Sequence, residues 1–280
     1  MALRICVLGS GSKGNCTLIE GEKTRLLIDA GRLGTKYISA RLEELGLKFK
    51  DITAIIATHA HGDHIDQTTH RMITGNDIPL YAHAETLPAI MRRTRAFREN
   101  QIPASLLESF ESTCTIGEFR VSPVDVPHGN GWGHDHVGRP VAFLVEQLDG
   151  GSTRAVGVAT DLGIVPEELI ETFAGADVIA IESNHDIAME LKSDRPDYLV
   201  DWVLGERGHL SNPQAAQALA RIVRKSAHTP KAVLLAHLSE ECNSPALALE
   251  TARSHLEEAG FGSIPLHACG QREPSPVIEV

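Results

Sequence analysis

The sequence predicts an α/β protein in which two layers of β-strands are covered on the outside by helices. Apolar runs typical of strands alternate with helical segments in both halves of the chain, and no low-complexity linker separates the halves. Hydrophobic residues make up 42% of the 280 residues and aromatic residues only 4%, so the core consists mainly of aliphatic side chains, as in buried sheets flanked by helices. Two sheets packed under helices would bury these runs, and we expect residues 1–280 to form one domain.

The first half of the chain begins with strands on both sides of a glycine-rich turn at residues 9–15. Short apolar runs and helical periodicity then alternate. We predict strands at residues 4–8, 17–20, 25–29, 52–58 and 79–82, and helices at residues 35–45 and 84–98.

The second half starts with a β-rich region, residues 113–160, which a polar, glycine-rich loop at residues 129–139 interrupts. Helices then alternate with short apolar strands. We predict strands at residues 121–126, 141–146, 155–160, 178–182 and 232–236, helices at residues 166–173, 212–225 and 244–259, and a mixed helical segment at residues 185–204.

The net charge limits the classes of partner. With 37 acidic and 26 basic residues the formal charge is −11, which removes the broad positive surface that accompanies non-specific nucleic-acid binding. A polyanionic substrate would need a local attractor, and bound divalent cations can supply one. One predicted helix carries four arginines that form either a solvated face or a contact to a phosphate backbone. These are Arg92, Arg93, Arg95 and Arg98.

The cysteines and the amino terminus indicate the compartment. Five scattered cysteines form no CxxC pair, which is typical of reduced, structural thiols in a cytosolic protein. Neither a signal-peptide core nor a run of about 18 apolar residues occurs. We therefore expect a cytoplasmic protein without a membrane span. The cysteines are Cys6, Cys16, Cys114, Cys242 and Cys269.

The sequence Thr-His-Ala-His-Gly-Asp-His at residues 58–64, called the metal loop below, carries the strongest chemical signal. It follows the apolar strand at residues 52–58, at the carboxyl end where α/β proteins place their chemistry. His59 and His61 are two residues apart, and we expect Asp63 and His64 at the start of the next helix. Three imidazoles and a carboxylate so close together favour a Zn²⁺, Mn²⁺ or Fe²⁺ site over solvated surface histidines.

Six residues cannot complete two metal sites, so further ligands are expected downstream. His128, Asp161 and His237 each occupy a similar position, just beyond a predicted strand. Because strand ends of one sheet can meet at a common edge, these side chains are candidates for the remaining ligands.

The metal loop resembles the signature of the metallo-β-lactamase superfamily. The segments VPH, ATDLG and LAHLS resemble its later His, Asp and His motifs. LGSGSKGN, LLIDAG, IESNHD and GHLSN further resemble the bacterial YycJ/WalJ/VicX-like group, which is regarded as a group of nucleases, with ribonuclease Z and cyclic phosphodiesterases as more distant relatives. The resemblance spans nearly the whole chain and implies a four-layer αββα sandwich.

The resemblance also implies a ligand set. One metal would be held by His59, His61 and His128, and a second by Asp63, His64 and His237, with Asp161 bridging the two. The loop at residues 128–136 is longer than expected for the group and contains two more histidines. His134 is therefore an alternative ligand to His128, or a residue that contacts substrate, and His136 is either a substrate contact or a solvated loop residue.

Three further residues are candidates for supporting roles. Asp29 resembles the acid that orients the metal-binding loop, and an ordinary turn aspartate is the alternative. His209, in GHLSN, resembles a histidine placed over the reacting phosphate; the alternative is a histidine that packs at the start of a helix next to a capping Ser211 or Asn212. His185 follows a strand end, and its role stays open between a site contact and none.

These features predict a two-metal hydrolase, most simply a phosphodiesterase or exonuclease, with zinc or manganese, or else iron, as cofactors. The metals would activate a water, while Asp63 steers the proton of the nucleophile and His209 assists at the phosphate. Nucleic acid or a small phosphodiester is the expected partner, and a homodimer is expected as one possible assembly. Hydrolysis of a small cyclic phosphate, thioester or lactone is the rival activity, and a non-catalytic metal-binding regulator is the rival class.

Overall fold

Two β-sheets lie face to face in the computed structural model, which describes residues 3–99, 102–129, 137–149 and 152–280. Each sheet has seven described strands, numbered here in chain order. They are β1 (Arg4–Gly9), β2 (Cys16–Glu20), β3 (Arg25–Ile28), β4 (Ala54–Ala57), β5 (Leu80–His83), β6 (Leu107–Phe110), β7 (Cys114–Ile116), β8 (Phe119–Asp125), β9 (Val141–Asp149), β10 (Ser152–Ala159), β11 (Val178–Glu182), β12 (Ala232–Ala236), β13 (Leu266–Ala268) and β14 (Ile278–Glu279).

Helices connect the strands and cover the outer faces of both sheets. Two single 3₁₀ turns, Phe49–Asp51 and Ala104–Leu106, add to them. The described α-helices are α1 (Thr35–Glu44), α2 (Gln67–Asn76), α3 (Thr86–Arg93), α4 (Arg95–Glu99), α5 (Glu167–Phe173), α6 (Ile187–Leu191), α7 (Asp197–Leu204), α8 (Asn212–Lys225) and α9 (Pro245–Glu258).

The strand order places several carboxyl ends at one edge of the molecule. In the first sheet the order is β14-β1-β2-β3-β4-β5-β6, and β3 to β6 run parallel. In the second sheet the order is β13-β12-β11-β10-β9-β8-β7, and β10 to β13 run parallel. Parallel strands end on the same side, so the loops that follow β3, β4, β10, β11 and β12 can converge on one site.

Three apolar layers separate four layers of secondary structure. In β4, Ile55 packs outward against the helices of the first sheet, whereas Ile56 packs into the layer between the sheets. In β12, Leu235 faces the helices of the second sheet and Leu234 faces the inter-sheet layer. Strands buried on both faces explain the continuous apolar runs in the sequence. The predicted αββα sandwich is confirmed, and the single domain stays a prediction.

The helix α8 illustrates how the sequence sets an element. Ser211 caps its amino terminus, because its side chain accepts a hydrogen bond from the backbone N–H of Gln214, while the Gln214 side chain accepts from the Ser211 N–H. Ala215, Leu219 and Ile222 recur at helical spacing and are buried against the second sheet. The predicted helix at residues 212–225 is therefore confirmed at both ends.

Two predictions about helices need correction, and the structure resolves a third into its parts. The predicted helix at residues 84–98 is two helices, because Thr94 has an extended backbone and its hydroxyl donates to the Ile65 carbonyl at 3.3 Å. The mixed segment at residues 185–204 consists of α6 and α7, and Pro196 precedes the second of them. Asp63 and His64 do not begin the next helix, because α2 is capped by Asp66 and starts at Gln67.

Short edge strands were not predicted from the sequence, namely β6, β7, β13 and β14. Each has at most four residues and includes polar ones, so that none forms a continuous apolar run. All five cysteines are unpaired, as expected, and four of them are buried. Within the part of the chain that the structure describes, no helix is long and apolar enough to cross a membrane.

The layer between the sheets provides a test of the fold. Phe143 of β9 is fully buried there, 6.0 Å from the ring of Phe110. We expect Phe143→Ala to lower the free energy of unfolding by about 3–5 kcal/mol, because a large cavity remains. Chemical denaturation would measure this loss. Tyr198→Ala, at a side chain that is 62% exposed on α7, should cost less than about 0.5 kcal/mol, and equal losses in the two variants would contradict the packing.

Candidate metal centre

The metal loop lies between the carboxyl end of β4 and the helix α2, and it meets the loops that follow strands of the second sheet. His128 follows β8, Asp161 follows β10, and His237 follows β12. All three are at most 2% exposed. Side chains that are distant in the sequence are therefore gathered into one buried cluster at the shared edge of the two sheets.

The first ligand group consists of His59, His61 and His128. Nε2 of His59 lies 2.9 Å from Nδ1 of His61, and Nε2 of His128 lies 3.2 Å from the same Nδ1. These three nitrogens face a common point, and three imidazoles are a donor set that suits a divalent transition metal.

The second group consists of Asp63, His64, Asp161 and His237. Nε2 of His64 lies 2.9 Å from Oδ2 of Asp161 and 3.7 Å from Oδ2 of Asp63. Nε2 of His237 lies 3.6 Å from both Oδ2 of Asp63 and Oδ1 of Asp161. Asp161 also links the groups, since its Oδ1 is 3.6 Å from Nε2 of His128. Its carboxylate can therefore serve two cations.

Two buried atoms in this cluster, Oδ2 of Asp161 and Nε2 of His237, are contacted only by side chains of the second group itself and have no hydrogen bond from elsewhere in the described chain. A buried carboxylate oxygen and a buried imidazole nitrogen are costly to leave unmatched. Both point into the second group, where a cation would satisfy them. The donor atoms, their burial and these unmatched groups all fit two adjacent divalent metal ions.

Asp29, directly after β3, holds the metal loop without belonging to either group. Its Oδ1 accepts a hydrogen bond from the N–H of Thr58 at 2.9 Å, and its Oδ2 accepts from the Thr58 hydroxyl at 2.8 Å. Oδ2 also lies 2.7 Å from Nδ1 of His64. Because Nδ1 of His64 is engaged, its Nε2 faces the second group. The Thr58 oxygen lies 3.0 Å from Nδ1 of His59 and leaves Nε2 of that ring free in the same way.

The glycine-rich turn between β1 and β2 ties the two halves of the site together. The N–H of Asn15 donates to the Asp63 carbonyl at 2.8 Å, and the Asn15 amide nitrogen lies 3.2 Å from Nε2 of His64. The Ser10 hydroxyl accepts from the backbone N–H of His237 at 2.9 Å. The turn therefore positions ligands from both sheets.

Glu182, the last residue of β11, is a site residue that sequence reasoning did not identify. Its Oε1 lies 2.8 Å from Nδ1 of His209 and 2.8 Å from Nδ1 of His237. Its Oε2 accepts from the backbone N–H groups of Leu162 and Leu210. One fully buried carboxylate therefore orients two imidazoles. Its position at a strand end, like those of Asp29 and Asp161, is the signal that could have revealed it.

The electrostatic setting differs between the two groups. In the first group, burial and the nearby histidines both lower the pKa of the imidazoles, and burial has the larger effect. The pKa of His61 is about 4 and that of His128 about 3. These rings are therefore neutral near pH 7, which is the form that binds a metal. Nδ1 of His128 is also 2.9 Å from the Gly208 carbonyl, so Nε2 is its free nitrogen.

In the second group the charges of the carboxylates outweigh the effect of burial on the pKa of the imidazoles. Burial alone would lower the pKa of His64 and His237, but the charges of Asp161 and its neighbours raise both, that of His237 to about 10. Burial alone would raise the pKa of Asp63 and Asp161, but the nearby imidazoles lower both, that of Asp63 to about 2. Without a metal this region holds protons in place of cations, and metal binding must displace them.

Backbone strain is concentrated at the same place. Asp29, Asp161 and His237 have φ angles of 59°, 61° and 55°, in the left-handed region that side chains other than glycine seldom adopt. At Gly31 a Cβ would lie 2.5 Å from the backbone of Asp63 and His64, so only glycine fits against the metal loop. Such strained positions are typical of functional sites that the surrounding fold holds rigidly.

The remaining candidate residues fall into three classes. The side chain of His209 is 12% exposed, with Nδ1 3.7 Å from Oδ1 of Asp161 and the ring stacked on His237 at 5.2 Å. His185 is buried, and its ring nitrogens make no hydrogen bond in the described chain; its backbone pairs with Ser211 and Asn212. His134 and His136 lie outside the described residues.

Comparison with known proteins identifies the family. Residues 24–237 match the family described as the beta-lactamase superfamily domain. The chain belongs to this superfamily. Exodeoxyribonuclease YycJ of Bacillus anthracis is 29% identical over 262 residues, which cover 94% of this chain and 92% of that protein. Exodeoxyribonuclease WalJ of Streptococcus pneumoniae is 30% identical over 264 residues, which cover 94% of this chain and 91% of that protein.

A solved structure supports the fold of this superfamily member. The metallo-beta-lactamase fold protein YhfI from Bacillus subtilis superimposes with a TM-score of 0.66 at 16% identity, over 100% of both chains. The sequence-based predictions of the metallo-β-lactamase fold and of a relationship to YycJ and WalJ are therefore confirmed. Divalent metal binding follows from this fold and from the clustered ligands.

The Asp29 contacts generate a prediction about metal affinity. Asparagine tolerates the same backbone conformation, but its amide nitrogen cannot accept from Thr58 or His64. We expect Asp29→Asn to weaken metal binding by about 10–100-fold, measured by competition with a chelator followed by metal analysis. Asp201→Asn, at an exposed position of α7, is the control. Equal affinities of the wild type and Asp29→Asn would contradict the orienting role.

Proposed function

We propose that the protein is a two-metal phosphodiesterase that acts on DNA, as an exonuclease. The observation that carries this proposal is the convergence of two ligand groups between which Asp161 lies, with the partly exposed His209 beside them. The names of YycJ and WalJ support DNA as the substrate class, because each is about 30% identical over more than nine-tenths of both chains. The prediction of a metal-dependent hydrolase agrees with these names and with the site.

We assign the ligands by group. His59, His61 and His128 would hold one metal, Asp63, His64 and His237 would hold the other, and Asp161 would contact both. Imidazole and carboxylate donors suit zinc or manganese, with iron as a further candidate. When bound, two such ions lower the pKa of a water and polarise the phosphoryl oxygen.

The chain's own residues then act around the phosphate. Asp63 is the more accessible of the two ligand carboxylates, and its side chain is 18% exposed, so it is placed to take up the proton of the attacking water. Glu182 accepts a hydrogen bond from Nδ1–H of His209, so the imidazolium form of that ring can donate from Nε2 to a phosphate oxygen or to the leaving oxygen. Asp29 and Thr58 keep the metal loop in place while charge develops. No serine or cysteine nucleophile is required.

The charges of the site also fit an anionic substrate. Of the described carboxylates at this site, only Asp63 and Asp161 face the cluster, whereas Asp29 and Glu182 contact the Nδ1 sides of His64 and His237. Two divalent cations would therefore make the face of the centre locally positive although the chain carries −11. A phosphodiester is therefore attracted locally and repelled elsewhere. The unpaired cysteines support a cytoplasmic location, whereas the homodimer stays a prediction.

The activity can be tested with four substrates: single-stranded DNA, duplex DNA, RNA and bis-p-nitrophenyl phosphate. We expect hydrolysis of DNA in the presence of Mn²⁺ or Zn²⁺ and its loss on chelation. Asp161→Ala and His61→Ala should each lower kcat/KM by at least about 100-fold, because ligands of the metals are removed. Glu171→Ala, on the exposed side of α5, should match the wild type.

The outcomes separate the rival functions. Hydrolysis of cyclic phosphates, thioesters or lactones without cleavage of any nucleic acid would show that the substrate is a small molecule and not DNA. Loss of bound metal from Asp161→Ala without loss of any hydrolytic activity would favour a regulatory metal-binding protein. Inactivity of the metal-loaded protein on every phosphodiester would reject the proposal.

The role of Glu182 is tested by Glu182→Gln. A glutamine presents one acceptor oxygen in place of two, so His209 and His237 lose their common partner. With saturating metal we expect kcat to fall by about 10–100-fold, and we also expect weaker metal binding because His237 is a ligand; steady-state kinetics and metal analysis measure the two effects. A kcat within about twofold of the wild type would show that the two imidazoles are held by other contacts.

A further inference from the structure

A pocket of about 320 Å³ lies against the outer side of the metal loop and belongs to neither ligand group. Ala60 and Gly62 form one wall, and these two residues alternate with the metal-loop residues His59, His61 and Asp63. Arg32 and Arg93 contribute the positive charges of the pocket. A volume of this order is at the lower end of the range of ligand sites.

Arg32 is held in place by its backbone. It follows Gly31, which packs directly against the backbone of Asp63 and His64, and its own φ is 51°. Its guanidinium lies over the metal loop, so that a Cβ built on Gly62 would be 3.1 Å from Nη2 of Arg32. In the described chain this exposed guanidinium has no ion-pair partner. A strained backbone therefore presents a cation beside the metal centre.

Arg93 reaches the same pocket from the end of α3. Its Nε donates to the Ala60 carbonyl at 3.2 Å, which fixes the guanidinium against the metal loop between His59 and His61. The extended backbone of Thr94 ends the helix at this point, and its hydroxyl donates to Ile65. The break between α3 and α4 thus anchors Arg93 at the metal loop.

The charged residues that line this pocket are Arg32, Arg93 and Asp66. A second pocket of about 480 Å³ shares Asp66 and Thr94 with the first and continues along α4. There Arg95 pairs with Glu99 at 2.8 Å, and Asp66 adds a negative charge, although its carboxylate also accepts from the Thr68 N–H. In the second pocket the single arginine is therefore paired, whereas the first pocket has two arginines and one aspartate.

We propose that Arg32 and Arg93 bind a backbone phosphate that neighbours the cleaved phosphodiester, so that the protein selects a nucleotide chain over an isolated phosphodiester. This inference rests on the proposed nuclease function. Guanidinium groups bind phosphate oxygens through paired N–H donors. Such contacts position the backbone without reading its sequence, which suits an enzyme that degrades DNA from an end.

The arginines of the helix predicted from the sequence therefore have different roles. A phosphate contact is assigned to Arg93, whereas Arg92, which is also exposed, lines none of the described pockets. Arg92 is adjacent to Arg93 on the same helix and carries the same charge. It therefore provides a matched control.

The test compares Arg32→Gln, Arg93→Gln and Arg92→Gln in the metal-loaded protein, with a short single-stranded deoxyribonucleotide and with bis-p-nitrophenyl phosphate. For the oligonucleotide we expect kcat/KM to fall about 10-fold for each pocket arginine, mainly through KM. The loss on the small ester should be at least about fivefold smaller. The dependence of log KM on log salt should also become shallower, by about 0.7 for one lost phosphate contact. Arg92→Gln should match the wild type on both substrates.

Two results would overturn the inference. Equal losses on both substrates would mean that the arginines only support the metal loop, and oligonucleotide kinetics equal to those of Arg92→Gln would mean that they bind no phosphate. If the wild type cleaves no phosphodiester, the proposed function fails, but the inference is still tested by fluorescence anisotropy of a labelled oligonucleotide with the Mn²⁺-loaded proteins. Weaker binding in Arg32→Gln and Arg93→Gln alone would support it, and equal binding in all four proteins would reject it.

Discussion

The site depends on one buried anion, the carboxylate of Asp161. It is 2% exposed, and its oxygens lie within 3.6 Å of nitrogens from His64, His128 and His237. Burying a charge costs several kcal/mol unless opposite charge compensates it. The surrounding imidazoles and the two cations that fit among them provide this compensation. Metal binding therefore removes an electrostatic conflict that the fold builds into its own centre.

Two sheets are needed to build such a cluster. His59 and His61 come from the first sheet, whereas Asp161 and His237 come from the second, and the apolar layer between the sheets fixes the distance between them. Left-handed backbone at Asp29, Asp161 and His237 costs on the order of 1–3 kcal/mol at each residue. Rigid strands on both sides, and hydrogen bonds from the turn that contains Asn15, hold these conformations.

The sequence predicts those parts of the molecule that rest on local patterns. The apolar runs of β11 and β12 and the capped, amphipathic α8 appear with their observed bounds, and the metal loop is recognisable because its ligands lie within six residues. Glu182 was not predicted, because no local sequence motif distinguishes a functional glutamate at a strand end. Its role depends on His209 and His237, which lie 27 and 55 residues away in the sequence. The break at Thr94 depends likewise on a tertiary contact to Ile65. Tertiary hydrogen bonds override helical periodicity there.

The acidic composition and a polyanionic substrate are compatible because charge acts locally. At physiological ionic strength the Debye length is about 8 Å, so distant surface carboxylates are screened, whereas cations within a buried cluster are not. A negative surface with one positive centre disfavours non-specific adsorption along DNA. The attraction of the centre then exceeds the repulsion of the surface only for the few phosphates near the end of a DNA strand. Arg32 and Arg93 enlarge the region of positive charge beside the metal loop. Arg95 does not enlarge it further, because it pairs with Glu99. The distribution of charge therefore favours recognition of a few phosphates over a long duplex footprint.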